Sequence, residues 1–176
     1  YTDSLIEKLC DLVQRAAGAT RSGRLAWGQG QVRFAKNRRL LRNGRWRGFG
    51  VQTDGPVDHD MPILRATDEN GKLLAVIANY ACPSTSAHLD DGVCGDWAGC
   101  AQQFIEKAHP GTLALITIGC GADVNPSPMG SQKAARAHGQ AIAREVNRLL
   151  EGNLTPIEPQ LTTTLRHIDL PFAKLP

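Results

Sequence analysis

No stretch of this chain is long and apolar enough to form a bilayer-spanning helix, so it contains no transmembrane segment. The first residues, YTDSLIEKL, do not read as a secretory leader: they have no basic start, no apolar run and no small-residue cleavage site. There is no initiator methionine, and the chain stops at DLPFAKLP, so both ends read as cut. Residues 1–176 are therefore expected to be part of one domain truncated at both ends, completed by flanking segments of the parent chain. The five cysteines (Cys10, Cys82, Cys94, Cys100, Cys120) contain no CxxC and no short paired spacing. An odd count without such pairs is poor evidence for either a disulfide framework or a structural zinc. Acid is absent from Arg33 to Arg47, where seven basic residues stand. That run can attract phosphates or an anionic surface. Only Phe34 and Trp46 interleave with it and no binding motif accompanies it, so a nucleic-acid partner is not expected and a solvated loop or hairpin is the plain reading.

What is present suits one domain with a core: 41% of residues are hydrophobic, 21% are charged, and the net charge is +3. Ser4 and Glu7 have the spacing of a capping box, and Leu5, Leu9, Leu12, Val13 and Ala16 follow at helical period up to Gly18. Cys10 falls on that apolar face and is expected in the core. Residues 24–34 alternate like a strand but are rich in glycine, which suggests a bulged or edge strand. GRWRGFG reads as a loop. MPILRAT and KLLAVIANYAC flank DENG, a hairpin in which Asn70 and Gly71 are expected to supply positive φ angles. The run from Leu73 to Ile77 reads as a central strand buried on both faces, and TLALITIG as another buried strand. Asp96 can cap a helix whose face carries Trp97, Ala101, Phe104, Ile105 and Ala108. A last helix is expected from about Ser131 to Leu150, then a strand over Leu161 to Leu170. Strands alternating with helices imply an α/β class, a layered sandwich with a mixed sheet flanked by helices.

Chemistry in such folds collects at the carboxyl ends of strands. Two ends are unusual: ANYACPSTSAHLDDGVCGDWAG and GCGADVNP. Gly119 and Gly121 permit a sharp turn, after which Asp123 and Asn125 can offer an acceptor and a donor. The alternative is an Asx-type turn that satisfies its own backbone. Thr85, Ser86 and His88 put hydroxyls near an imidazole, although proximity in sequence does not define a nucleophile pair. His59, between two aspartates, has the composition of a metal ligand but also of a solvated turn. His138 and His167, on a helix and a strand, have no evident partner.

Taken in order, NRR (Asn37 to Arg39), GPVDHDMPILRATDENGKLLAVIANYAC (Gly55 to Cys82), CGDWAG (Cys94 to Gly99) and GCGADVNP (Gly119 to Pro126) resemble the neutral/alkaline, non-lysosomal ceramidase family, in its bacterial, poorly characterised branch. The resemblance implies an internal part of the N-terminal catalytic domain of a zinc-dependent enzyme that hydrolyses the amide of N-acylsphingosines, secreted or periplasmic. A small-molecule or lipid amide is the implied substrate. Arg38, Asp123 and Asn125 fall at implied catalytic positions, with Asn125 where the family has serine. Asp96, Trp97 and Gly121 fall at implied substrate-binding positions. The family's zinc is held by histidines, a carboxylate and a tyrosine, most of them outside this chain. Its one histidine expected within the chain is replaced by Pro83, so no metal ligand is assigned and full zinc coordination by this chain is not expected; His88 is the nearest substitute. The departures also leave a second reading, a catalytically degenerate homologue that binds lipid, glycan or a protein partner.

Overall fold

The computed structural model describes residues 1–87, 92–158 and 162–171. The order of elements is α1 (Thr2–Gly18), β1 (Arg24–Gln31), β2 (Ala35–Arg42), β3 (Arg45–Gln52), β4 (Asp60–Thr67), β5 (Leu73–Tyr80), α2 (Asp96–Ala108), β6 (Leu113–Ile118), β7 (Val124–Pro126), α3 (Gln132–Glu151) and β8 (Thr155–Pro156). Five strands form a mixed sheet in the order β6-β5-β4-β1-β8, and three form a second sheet, β3-β2-β7. The class is α/β, layered, as the alternation of elements implies.

The core lies between the large sheet and the α2/α3 pair. Met61, Ile63, Val76, Ala78 and Tyr80 of the sheet meet Trp97, Ala101 and Ile105 of α2 and Ile142 and Val146 of α3. Each helix presents one apolar stripe, so burial of that stripe, rather than propensity, holds it in place. Helix α3 begins where expected, with Ser131 Oγ accepting from Ala134 N at 3.1 Å. Among the described residues, helices cover only one face of the sheet. On the other face a row of paired residues, Trp27, Leu64, Ile77 and Leu115, runs across four strands. Trp27 and Leu115 are exposed, and Leu64 and Ile77 are half-buried. The expectation that β5 and β6 are buried on both faces is therefore corrected: they alternate, and β6 is an edge strand.

Other expectations change for local reasons. Helix α1 starts at Thr2 with Tyr1 as N-cap and no side-chain cap, so the Ser4/Glu7 box does not form. No α1 residue is buried, and Cys10 is exposed rather than in the core. Strand β1 is neither bulged nor at the edge, since it pairs without a break to β4 and also to β8. Its glycine serves packing: a Cβ on Gly28 would lie 2.5 Å from Leu154 Cδ2. In the β4–β5 turn only Gly71 takes a positive φ. The Asp68 carboxylate does the rest, accepting from Asn70 N and Lys72 N at 2.9 Å each. GRWRGFG is not a loop; most of it lies in β3, paired to β2 around a two-residue turn in which Asn43 (φ 51°) and Gly44 (φ 71°) are left-handed. Residues 162–170 are exposed and form no strand, and Leu161 lies outside the described residues. Without a strand partner there, their alternation finds nothing to pair with.

Candidate functional site

Strands β5 and β6 are parallel neighbours with Tyr80 opposite Ile118, so their carboxyl ends sit side by side. The chain leaving β6 crosses directly beneath the end of β5. Gly119 N donates to Tyr80 O at 3.0 Å. At Gly121 an added Cβ would lie 2.8 Å from both Ala81 C and Cys82 N, so only glycine allows this approach. Beyond it, β7 adds to β2 with Asn125 opposite Lys36 and Val124 opposite Asn37. Arg38, the next residue of β2, is tied to the same crossing twice: its N donates to Asp123 O at 2.8 Å, and its Nε to Ala122 O at 3.1 Å. The Arg38 guanidinium also stacks over the Phe49 ring, 4.8 Å from its centroid.

Arg38, Gly121, Asp123 and Asn125, read separately from the sequence, thus share one strip where the two sheets meet. The first, third and fourth are half-buried, and Gly121 is buried beneath them. Asp96 and Trp97 are placed differently. Asp96 is buried, with φ 51°, at the first position of α2; Gly95 is the N-cap. Its carboxylate accepts from Ser86 N (2.9 Å), Ala87 N (2.6 Å) and Trp97 N (2.7 Å), so it clamps the loop that follows β5 as well as its own helix. Trp97 has no exposed surface; its Nε1 donates to Pro83 O at 2.9 Å and its ring lies edge-on to Phe34 and Tyr80. Both act on the 83–87 loop from within the core.

Sequence reasoning passed over Tyr80, Asn37 and Phe34. The Tyr80 hydroxyl donates to Val32 O at 2.8 Å and accepts from Ala35 N at 3.2 Å, pinning the β1–β2 connection to the end of β5. Burial raises its pKa well above the usual phenol range, which keeps it a neutral donor. Asn37 holds Pro56 O (2.9 Å) and receives Arg39 N (3.0 Å). The available signal was a tyrosine closing an apolar run, LLAVIANY, where a hydroxyl must find a partner. His138 does have partners: its Nε2 meets Pro128 O at 2.7 Å and its ring stacks on Phe34. His167 lies in exposed chain. His59 is half-buried with Nδ1 unpartnered, and burial followed by the charges of Arg33 and Lys36 lowers its pKa. Neighbouring cations make it a poor site for a metal.

Among the described residues no three His, Cys, Asp or Glu side chains converge on a metal-sized space. At the position where the resembled family places a histidine ligand, Pro83 offers no side-chain donor, and its carbonyl already accepts from Trp97. The neighbouring Cys82 is buried, and its thiol is pushed up to about 12 by burial and then by the Asp96 charge, so it is not a thiolate. His88 lies outside the described residues.

No protein-family model and no curated protein matches the chain. Solved structures do. A neutral ceramidase from Pseudomonas aeruginosa superposes with a TM-score of 0.60 at 21% identity, over 77% of this chain and 24% of its own. A ceramidase complexed with C2 gives 0.60 at 22% identity, over 77% and 23%. This chain spans about a quarter of the length of either. The resemblance read from the order of motifs thus extends to the backbone, and the fold is one that neutral ceramidases contain.

Proposed function

We propose that this chain is part of a ceramidase-like hydrolase that acts on an amide or ester bond of a small-molecule or lipid substrate. The observation that carries the reading is the junction of Arg38, Asp123 and Asn125 at the carboxyl ends of β5 and β6, where α/β folds collect ligands. Arg38 stays charged and can hold the carbonyl oxygen of the scissile group as negative charge develops on it. Asn125 can donate a second hydrogen bond to that oxygen, and Asp123 can accept from an amide N–H or hydroxyl of the substrate. Arg38 and Asn125 carry no nucleophile, and Asp123 is assigned only as an acceptor, so the roles given to the three are to orient and polarise. Zinc finds no ligand at Pro83, and none of the chemistry assigned to these residues runs through it. The test is kcat/KM of the full-length protein on N-acylsphingosines and matched esters. Arg38→Ala should lower it roughly 100-fold, in line with loss of one oxyanion donor, and Arg38→Lys should restore part of it. Absence of turnover on every amide and ester offered would end the hydrolase reading.

One observation favours a second reading, a homologue that binds without catalysis: Pro83 and its engaged carbonyl where a ligand is needed. Elemental analysis of the full-length protein beside its Pro83→His variant separates the two. Near-stoichiometric zinc in the unmodified protein supports the hydrolase, with another ligand in place. Zinc in the variant alone, or in neither, supports the binding module.

A further inference from the structure

The β2–β3 hairpin extends beyond its support. Strand β7 pairs only with Ala35, Lys36 and Asn37 at its base, so the rest of the ribbon is two-stranded up to the Asn43-Gly44 turn. Large apolar side chains are concentrated on this projecting part: Leu41 is 51% exposed, Trp46 60%, Phe49 66% and Val51 56%. Three of them are gathered together, since Leu41 pairs with Trp46 across the ribbon and the Trp46 and Phe49 rings meet edge to face at 5.7 Å. Around them stand Arg39, Arg42, Arg45 and Arg47, with no acid from Arg33 through Thr53. An exposed apolar cluster framed by one sign of charge marks a binding surface.

We infer that this hairpin docks the protein on an anionic lipid surface, with Trp46, Phe49, Leu41 and Val51 entering the headgroup–acyl boundary and the arginines facing lipid phosphates. Tryptophan is favoured at that depth, because its ring is apolar while its N–H stays wet. Aliphatic side chains beside it have no role in stacking nucleic-acid bases but do suit acyl chains, which favours the bilayer over a polynucleotide. Among the other exposed apolar surfaces, the α1 stripe lacks the charge: Asp3, Glu7 and Asp11 outnumber Lys8 and Arg15. Docking by the hairpin stands independently of any hydrolysis.

The test uses the full-length protein with phosphatidylcholine vesicles, with and without phosphatidylglycerol. Binding is expected to the anionic vesicles, to weaken as salt rises, and to fall about fivefold for each of Arg39→Gln, Arg42→Gln and Arg45→Gln, since a basic group near such a surface contributes about 1 kcal/mol. The double variant Trp46→Ser, Phe49→Ser, which keeps every charge, should lose at least tenfold. Brominated lipid should quench the part of the emission that disappears in Trp46→Phe, a readout on the unmodified fold. No binding, equal binding to neutral vesicles, binding indifferent to these variants, or tighter binding to a single-stranded oligonucleotide than to vesicles would each overturn the inference.

Discussion

Removal of the Asp96 carboxylate is the sharpest test of how this structure holds its candidate site. Three backbone N–H groups, of Ser86, Ala87 and Trp97, converge on its two oxygens at 2.6 to 2.9 Å. A hydrogen bond to a charged acceptor contributes about 1.5–3 kcal/mol net, so three sum to roughly 4.5–9 kcal/mol. Against that stands the cost of burying the charge; the left-handed φ at position 96 gives no offset, because alanine and asparagine keep it. Asp96→Ala should therefore destabilise the full-length protein by about 3 kcal/mol, and Asp96→Asn by less, because one oxygen can still serve Ser86 and Trp97. Urea unfolding gives the total. Amide hydrogen exchange gives the location: Ser86 and Ala87 should lose protection in Asp96→Ala and Ala87 alone in Asp96→Asn, while the β4–β5 ladder keeps its own. A loss under 1 kcal/mol in Asp96→Ala, or unchanged protection at 86 and 87, would refute the clamp.

Other perturbations follow from the same junction. Gly121→Ala places a Cβ 2.8 Å from Ala81 C and Cys82 N, backbone atoms that cannot swing aside; about 1–3 kcal/mol of stability should be lost in urea titration, with any activity falling alongside. Trp97→Phe keeps an aromatic ring but deletes the bond to Pro83 O and leaves a cavity where the larger indole was, and should cost about 2–4 kcal/mol with little change in the denaturant slope. Cys82 should resist alkylation in the folded protein at pH 8 while the exposed Cys10, Cys94 and Cys120 react, as judged by mass spectrometry. Its folded pKa is raised, so between 9.0 and about 12 the unfolded chain binds fewer protons than the folded one. The stabilisation is intact below pH 9.0 and is lost as pH rises through that window; Cys82→Ala should flatten the alkaline limb of the stability curve.

Elements whose partners lie near in sequence were legible. The β4–β5 hairpin, α2 and α3 have short-range punctuation (DENG, Asp96, Ser131, Gly152) that says where each begins or ends, and the observed bounds follow it. Burial was less legible. An apolar run such as LLAVI does not say whether one face or two will be covered, because that depends on which layer packs against it. Here helices cover one face, so Ile77 and Leu115 are only partly enclosed despite their composition. The same gap explains Cys10 and the α1 stripe: periodicity identifies an apolar side but not a neighbour for it. GRWRGFG misled for the opposite reason. Its glycines look like loop punctuation, but at Gly48 and Gly50 they absorb register shifts within a paired ribbon.

The candidate site divides along similar lines. That two strand ends would meet followed from the β5–α2–β6 order, since a helix between strands usually returns the chain to a parallel neighbour. That Arg38 would reach the same point did not follow, because it depends on β7 adding to β2 across 86 residues of chain, a pairing without a local signal. Asp96 and Trp97 carry the further lesson. Both were singled out by motif, yet both face the loop after β5 from inside, one through its carboxylate and one through its indole N–H. Their partners are backbone atoms of residues 83, 86 and 87, whose positions almost any side chains there would satisfy. The side chain at position 83 can therefore change while the carbonyl, the clamp and the loop stay intact. The 83–87 loop is thus held independently of the side chain at position 83, and the Pro83→His variant tests metal binding there without disturbing that scaffold.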